Sequence, residues 1–94
     1  MIRVREIRVS DYTQEHIWTK HHVTPEEVEE ACFSDPLVIR GRNRSYAVYG
    51  RTEAGRYLIV FLYPDPDGHG IFRLATARDM EQVERQRYQR SKGR

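Results

Sequence analysis

The sequence predicts an α+β domain: a mostly antiparallel sheet, two N-terminal helices on one face and a C-terminal helix at the sheet's edge. Three observations predict it. The first half holds two segments with helix-start chemistry, and the second half holds three strand-like runs parted by turn signals. A capped helical segment then closes the chain. At 94 residues the chain fits one domain, 1–94, with one modest core. The expected order is β-α-α-β-β-β-α.

Residues 2–9 alternate as a strand, with Ile2 and Val4 on one parity and Ile7 and Val9 on the other. The slip near Arg5-Glu6 implies a bulge or a short strand after a loose start. Ser10 or Asp11 caps a first helix through about His21, and Tyr12, Ile17, Trp18 and His21 form its expected inward face. The second helix has the clearest start: Thr24-Pro25-Glu26-Glu27 gives a hydroxyl cap, proline at the first helical position and glutamate three residues after the cap. Val28, Ala31 and Cys32 follow at helical spacing, with glutamates on the wet side. Ser34-Asp35-Pro36 ends it, since proline disfavours helix in the residue before it.

Leu37–Arg40 leads into a strand centred on Tyr46–Gly50, and Thr52-Glu53-Ala54-Gly55 turns into the next. Tyr57–Tyr63 is continuously apolar, as a strand buried on both faces should be. Pro64-Asp65-Pro66-Asp67-Gly68-His69-Gly70 is a dense turn signal. In Ile71–Ala77, strict alternation puts Phe72, Leu74 and Thr76 on one face and Arg73, Ala75 and Ala77 on the other. Arg78 ends this strand. Asp79 is the expected cap of a last helix over about Met80–Arg90, with Gln82 at its third position.

The net charge of +2 hides an uneven distribution. Residues 1–39 carry four basic and eight acidic side chains (−4), residues 40–72 five and three (+2), and residues 73–94 seven and three (+4). The basic second half is where a nucleic acid or an acidic partner would be met. Apolar and aromatic content argues for a folded chain rather than a disordered one. No apolar run has spanning length and no signal peptide is expected, so no membrane partner is. Cys32, the only cysteine, cannot form an internal disulfide, which fits a reducing cytoplasm.

Metal and cofactor chemistry finds little support. His16 and His21 are five residues apart, off the spacing that aligns helical ligands, and neither paired cysteines nor a glycine-rich phosphate loop occurs. No Ser/His/Asp or Cys/His arrangement stands out, and Cys32 reads as a small core residue. His21, at a helix junction beside Lys20, has the right intrinsic titration for a general acid or base, and a packed histidine fits the sequence equally. Arg40-Gly41-Arg42-Asn43-Arg44-Ser45-Tyr46, Tyr49 with Arg51, and Arg85-Gln86-Arg87-Tyr88 mix guanidinium forks with aromatic rings, which suits phosphates and unpaired bases. RNA cleavage needs few groups: a proton acceptor for the 2′-hydroxyl, cations for the phosphate and a proton for the leaving oxygen. Arg73 and Arg78 would hold the phosphate, with His21 or Tyr88 moving protons.

The order of short motifs adds a resemblance. Lys20-His21-His22-Val23-Thr24-Pro25-Glu26-Glu27-Val28, then Asp35-Pro36, resembles the KHGV-s-x-e-E and DP segments of BrnT-type toxins. Gly50-Arg51-Thr52-Glu53-Ala54-Gly55-Arg56-Tyr57-Leu58 resembles their GR-t-x-x-GR-x-L hairpin. Arg73-Leu74-Ala75-Thr76-Ala77-Arg78 is similar to their RIISAR strand, and Glu84-Arg85-Gln86-Arg87-Tyr88 to the E-R-x-x-Y of their last helix. The match runs over about residues 16–88. It implies a RelE-like fold and a type II toxin that degrades RNA; from the residues themselves, that ribonuclease is expected to be cytoplasmic, metal-independent and free of cofactors. Such a toxin blocks translation by cleaving RNA, free or on the ribosome, and a small DNA-binding antitoxin neutralises it. Arg73, Arg78, His21 and Tyr88 would then be catalytic, and Lys20, Arg51, Arg85 and Arg87 would bind RNA. A non-catalytic RNA- or protein-binding module of the same fold is the alternative. Two departures stand out: His22 replaces the glycine of KHG, and Val9-Ser10-Asp11-Tyr12-Thr13 does not reproduce the family's WD-x-x-K start.

Overall fold

The structure, a computed structural model, describes residues 3–93. Its order is β1 (Glu6–Arg8), α1 (Asp11–His21), α2 (Pro25–Phe33), β2 (Leu37–Arg40), β3 (Tyr46–Arg51), β4 (Tyr57–Pro64), β5 (Ile71–Asp79) and α3 (Gln82–Ser91). The five strands form one sheet in the order β1-β5-β4-β3-β2. β1 pairs with β5 in parallel, and every other pairing is antiparallel. The sequence reading is therefore one strand short. Leu37–Arg40 does not merely lead into β3; it doubles back through the Gly41–Ser45 turn and pairs with it as an edge strand. Ile2, assigned to the first strand by alternation, lies outside the described residues.

The sheet separates two apolar layers. α1 and α2 cover one face, where Ile17, Val23, Val28, Ala31 and Cys32 pack on Val48, Leu58, Val60, Leu62, Phe72, Leu74 and Ala77. α3 covers part of the other face, where Tyr49, Ile59, Met80 and Tyr88 are buried. It lies across the sheet rather than at its edge, because Tyr88 brings a large ring to the β3–β4 surface. On α1, Ile17 is buried as expected, but Tyr12 (80% exposed) and Trp18 (52%) face out. Trp18 instead meets the His22 ring at 5.2 Å.

Local chemistry explains the two helix turns. Thr24 accepts from the Glu27 backbone N–H at 3.2 Å while Glu27 accepts from that of Thr24 at 3.0 Å, a complete capping box. His22 ends α1 in the left-handed region (φ 54°), and the Val23 N–H reaches back to the Ile17 carbonyl at 3.1 Å. The turn that glycine would make easily is thus made by histidine. Gly50 answers a different need: a Cβ there would lie 1.9 Å from the Ala31 carbonyl oxygen, so α2 rests directly on the β3 backbone.

Strict alternation fails once, in β5. Leu74 pairs with Leu62 and Thr76 with Phe61, which leaves Ala75 as an extra residue in a bulge. Beyond it the phase reverses. Ala77 is buried with Phe72 and Leu74 under the helix pair, and Thr76 and Arg78 join Arg73 on the α3 face.

Gly50→Ala should lower the unfolding free energy by about 2 kcal/mol or more through overpacking against α2. Denaturant titration at parental stability would contradict this helix–strand contact. His22→Gly should stay within about 1 kcal/mol of the parent, trading relieved backbone strain against the lost Trp18 contact, whereas His22→Val should destabilise by about 1–2 kcal/mol.

Candidate functional site

The bulge gives Arg73 and Arg78 a common face without making them one site. Five residues of strand separate them by about 15 Å, and each is drawn to its own carboxylate. Arg78 grips Glu84 of α3 with both terminal nitrogens, at 2.8 and 2.9 Å. Glu84 also accepts from the Glu81 backbone N–H at 2.8 Å. Its carboxyl is held below the usual carboxylate range, chiefly by Arg78, and the Arg78 guanidinium is raised in turn. At the other end of β5, Arg73 Nε donates to Asp65 at 2.9 Å. The Asp65 side chain is 1% exposed and also accepts from the Asp67 N–H and, at 3.4 Å, from Arg8. The Asp67 N–H first, and Arg73 second, hold its carboxyl below the ordinary range.

His21 and Lys20 belong to the opposite layer. Lys20 is exposed on α1 beside His16. The His21 carbonyl accepts from Arg56 at 2.8 Å, and the His22 carbonyl from the same guanidinium at 2.7 Å. Arg56 also forks onto Asp79 at 2.7 and 3.0 Å and reaches Glu27 at 3.3 Å. Asp79, engaged in this way and depressed below the usual range chiefly by Arg56, does not cap α3. Glu81 takes that position and forms a capping box with Glu84.

The other four candidates come together. The Arg51 and Arg85 guanidinium carbons lie 5.0 and 4.3 Å from the centre of the Tyr57 ring, and that of Arg87 lies 5.9 Å from the centre of Tyr49. The Tyr88 ring meets Tyr57 edge-on at 6.1 Å. Tyr88 is buried, and its hydroxyl donates to the Asp35 carbonyl at 3.3 Å. Among the described residues, no carboxylate pairs with Arg51, Arg85 or Arg87. Beside them opens a cleft of about 430 Å³ walled by Ser34, Asp35, Arg51, Glu53 and Tyr88.

Tyr57 is the residue that sequence reasoning missed. Its hydroxyl accepts from Gln89 Nε2 at 3.3 Å, and this bond, followed by the charges of Arg51 and Arg85, lowers its pKa. The signal was present in the hairpin: a tight turn over residues 52–55 puts Arg51 directly opposite Tyr57. By contrast, burial pushes the Cys32 thiol up to about 12, which removes it as a nucleophile at neutral pH. Among the described residues no group of three His, Cys, Asp or Glu side chains converges on a point where a metal could sit. No helix among them is long and apolar enough to cross a membrane. Chemically, the arginine–tyrosine cluster offers uncompensated donors for an anion and a phenol eased toward its ionised form.

Sheet order, helix pair and covering helix together define a small α+β domain whose cationic face lies on the α3 side. A solved structure shares this architecture: the Brucella abortus ribonuclease toxin BrnT superposes with a TM-score of 0.68 over 84% of this chain and 100% of that one, at 15% sequence identity. The BrnT-type fold expected from the ordered motifs is therefore the fold observed. No family model matches the chain, and no curated protein does.

The folded pKa values of Glu84, Asp65 and Asp79 lie below their ordinary ones. Their stabilisation is thus fully present above the usual carboxylate range and lost as pH falls through the folded values. Glu84→Gln should cost about 1 kcal/mol at neutral pH and narrow its gap to the parent in acid; a gap constant with pH would contradict the Arg78 pairing. Arg56→Ala should cost about 2–3 kcal/mol, and Arg56→Lys should not restore it, because an ammonium cannot span these acceptors.

Proposed function

We propose that this chain is a toxin-like ribonuclease that binds RNA on its α3 face and blocks translation in the cytoplasm. The observation that carries the reading is the cluster of Arg51, Arg85 and Arg87 on tyrosine rings, unpaired with carboxylates, on a fold shared with a ribonuclease toxin. In the reaction, the 2′-oxygen loses its proton and bonds to phosphorus, and the P–O5′ bond breaks. The products are a 2′,3′-cyclic phosphate and a 5′-hydroxyl. Arg51 and Arg85 would meet the charge that develops on the phosphate oxygens. Tyr57, as its phenolate, would take the 2′ proton, and a water molecule would supply the proton to the departing 5′-oxygen. Arg78 would serve by anchoring α3 through Glu84, while His21, Lys20 and Arg73 stay outside this cluster. A small DNA-binding antitoxin would neutralise the toxin by covering the same cationic face.

One observation favours a second reading, a non-catalytic RNA- or protein-binding module. The Tyr88 hydroxyl is engaged with a backbone carbonyl, and Arg73 and Arg78 are each held by a carboxylate. The groups first expected to do the chemistry are thus occupied.

Inducing the chain alone in bacteria should arrest growth and degrade RNA. Arg51→Ala combined with Arg85→Ala should lower cleavage by the purified protein by about 10²-fold, and Tyr57→Phe should remove the rise of rate with pH. Salt-sensitive RNA binding without cleavage would establish the second reading instead.

A further inference from the structure

We infer that Tyr63 and Arg73 form a second nucleotide subsite, remote from the arginine–tyrosine cluster, on which one base of an extended single-stranded RNA stacks. This inference rests on the RNA reading above and specifies the form of RNA. Tyr63 is 48% exposed on the α3 face of β4, beyond the part of the sheet that α3 covers. Six residues of strand separate it from Tyr57, or about 20 Å.

The ring stands between two open hollows. One, of about 500 Å³, has Arg8, Ser10, Thr13 and Arg73 in its walls. The other, of about 280 Å³, has Asn43 and Arg44. Arg73 sits directly opposite Tyr63 across the β4–β5 ladder, and Arg8 opposite Arg73 on β1, so ring and guanidiniums form one row. The buried Asp65 carboxylate fixes Arg73 through Nε, while the Arg73 side chain as a whole is 61% exposed. An aromatic face beside a pre-oriented guanidinium, walled by amide and hydroxyl groups, suits an unpaired base.

Charge distinguishes this subsite from the cluster. Arg8, Arg44 and Arg73 are balanced by Glu6, Asp65 and Asp67, so stacking rather than net charge would supply the affinity here. A duplex keeps its bases inside the stack and cannot use the ring.

The test measures binding of a labelled, uncleavable 2′-O-methyl RNA strand of about ten nucleotides, a 2′-O-methyl dinucleotide and a duplex, by fluorescence anisotropy across a salt series. The long strand should bind tightest. Tyr63→Ala should weaken it about tenfold with an unchanged salt slope and an unchanged thermal midpoint, and Tyr63→Trp should bind like the parent. Arg51→Ala should instead make the salt slope shallower. If Tyr63→Ala binds like the parent while Arg51→Ala weakens binding, the subsite is lost and the RNA reading stands. Equal binding of the duplex overturns the single-strand assignment. If wild type binds none of the probes, subsite and RNA reading fall together.

Discussion

The Arg56 guanidinium is the constraint on which the rest of the arrangement depends. It satisfies the carbonyls of His21 and His22, where α1 ends with unpaired acceptors, and it forks onto Asp79 at the end of β5. One side chain, 25% exposed, thereby fixes the helix-pair turn to the sheet. The consequences run onward along the chain. Asp79 is engaged, so α3 begins two residues later on the Glu81–Glu84 capping box. Glu84 at that position meets Arg78, and the pair sets the start of α3 against β5. Only from that start does the helix bring Arg85, Tyr88 and Gln89 over Tyr57.

Carboxylates decide which arginines remain available. Arg8, Arg56, Arg73 and Arg78 are each within ion-pair distance of at least one acid, and that company is the chief cause of the lowered pKa of Asp79 and Glu84 and, after the Asp67 N–H, a cause of that of Asp65. A cation so engaged must surrender an attractive partner before it can take a phosphate, and the displaced carboxylate would repel that phosphate. Arg51, Arg85 and Arg87 stand against aromatic faces with no carboxylate paired to them among the described residues, and Arg51 also donates through Nε to the Gly55 carbonyl at 3.4 Å. Ring contacts leave the terminal guanidinium N–H groups able to fork onto an anion, and rings cost little to leave. Electrostatic availability, more than position on a motif, separates the two groups.

Much of the fold was legible because it is written in local chemistry. Thr24-Pro25-Glu26-Glu27 specifies a helix start by hydrogen bonds that close within four residues, and it forms as read. The runs that became β3, β4 and β5 were delimited by turns whose residues act locally. What stayed hidden depends on distant partners. Asp79 has all the features of a cap until Arg56, in another hairpin, claims it. The Ala75 bulge has no glycine to announce it, and alternation therefore put Thr76 and Ala77 on the wrong faces. Trp18 looked like core because its bulk and its helical phase agreed, yet Ile17 alone is buried there and Trp18 turns to the His22 ring, itself set by a left-handed turn that the sequence does not announce. Of the candidate site, Arg51, Arg85, Arg87 and Tyr88 were found by their basic–aromatic spacing. Tyr57 was overlooked because it sits in a run that reads as buried strand.

Several positions of the motifs that carried the resemblance turn out to record architecture. Gly50 gives α2 its seat on β3, Arg56 ties the helix turn to β5, the Thr24–Glu27 box starts α2, and Arg78 with Glu84 docks α3. Each is a long-range or capping interaction whose loss would disturb the whole domain. Such positions say less about chemistry, because a side chain spent on holding the scaffold is not thereby placed to touch a substrate. The groups proposed for chemistry, Arg51, Arg85, Arg87 and Tyr57, are positioned by that scaffold, with Tyr57 partly packed in its second apolar layer. Substitutions among them should therefore separate function from folding, whereas substitutions at Arg56, Gly50 or Glu84 affect both at once.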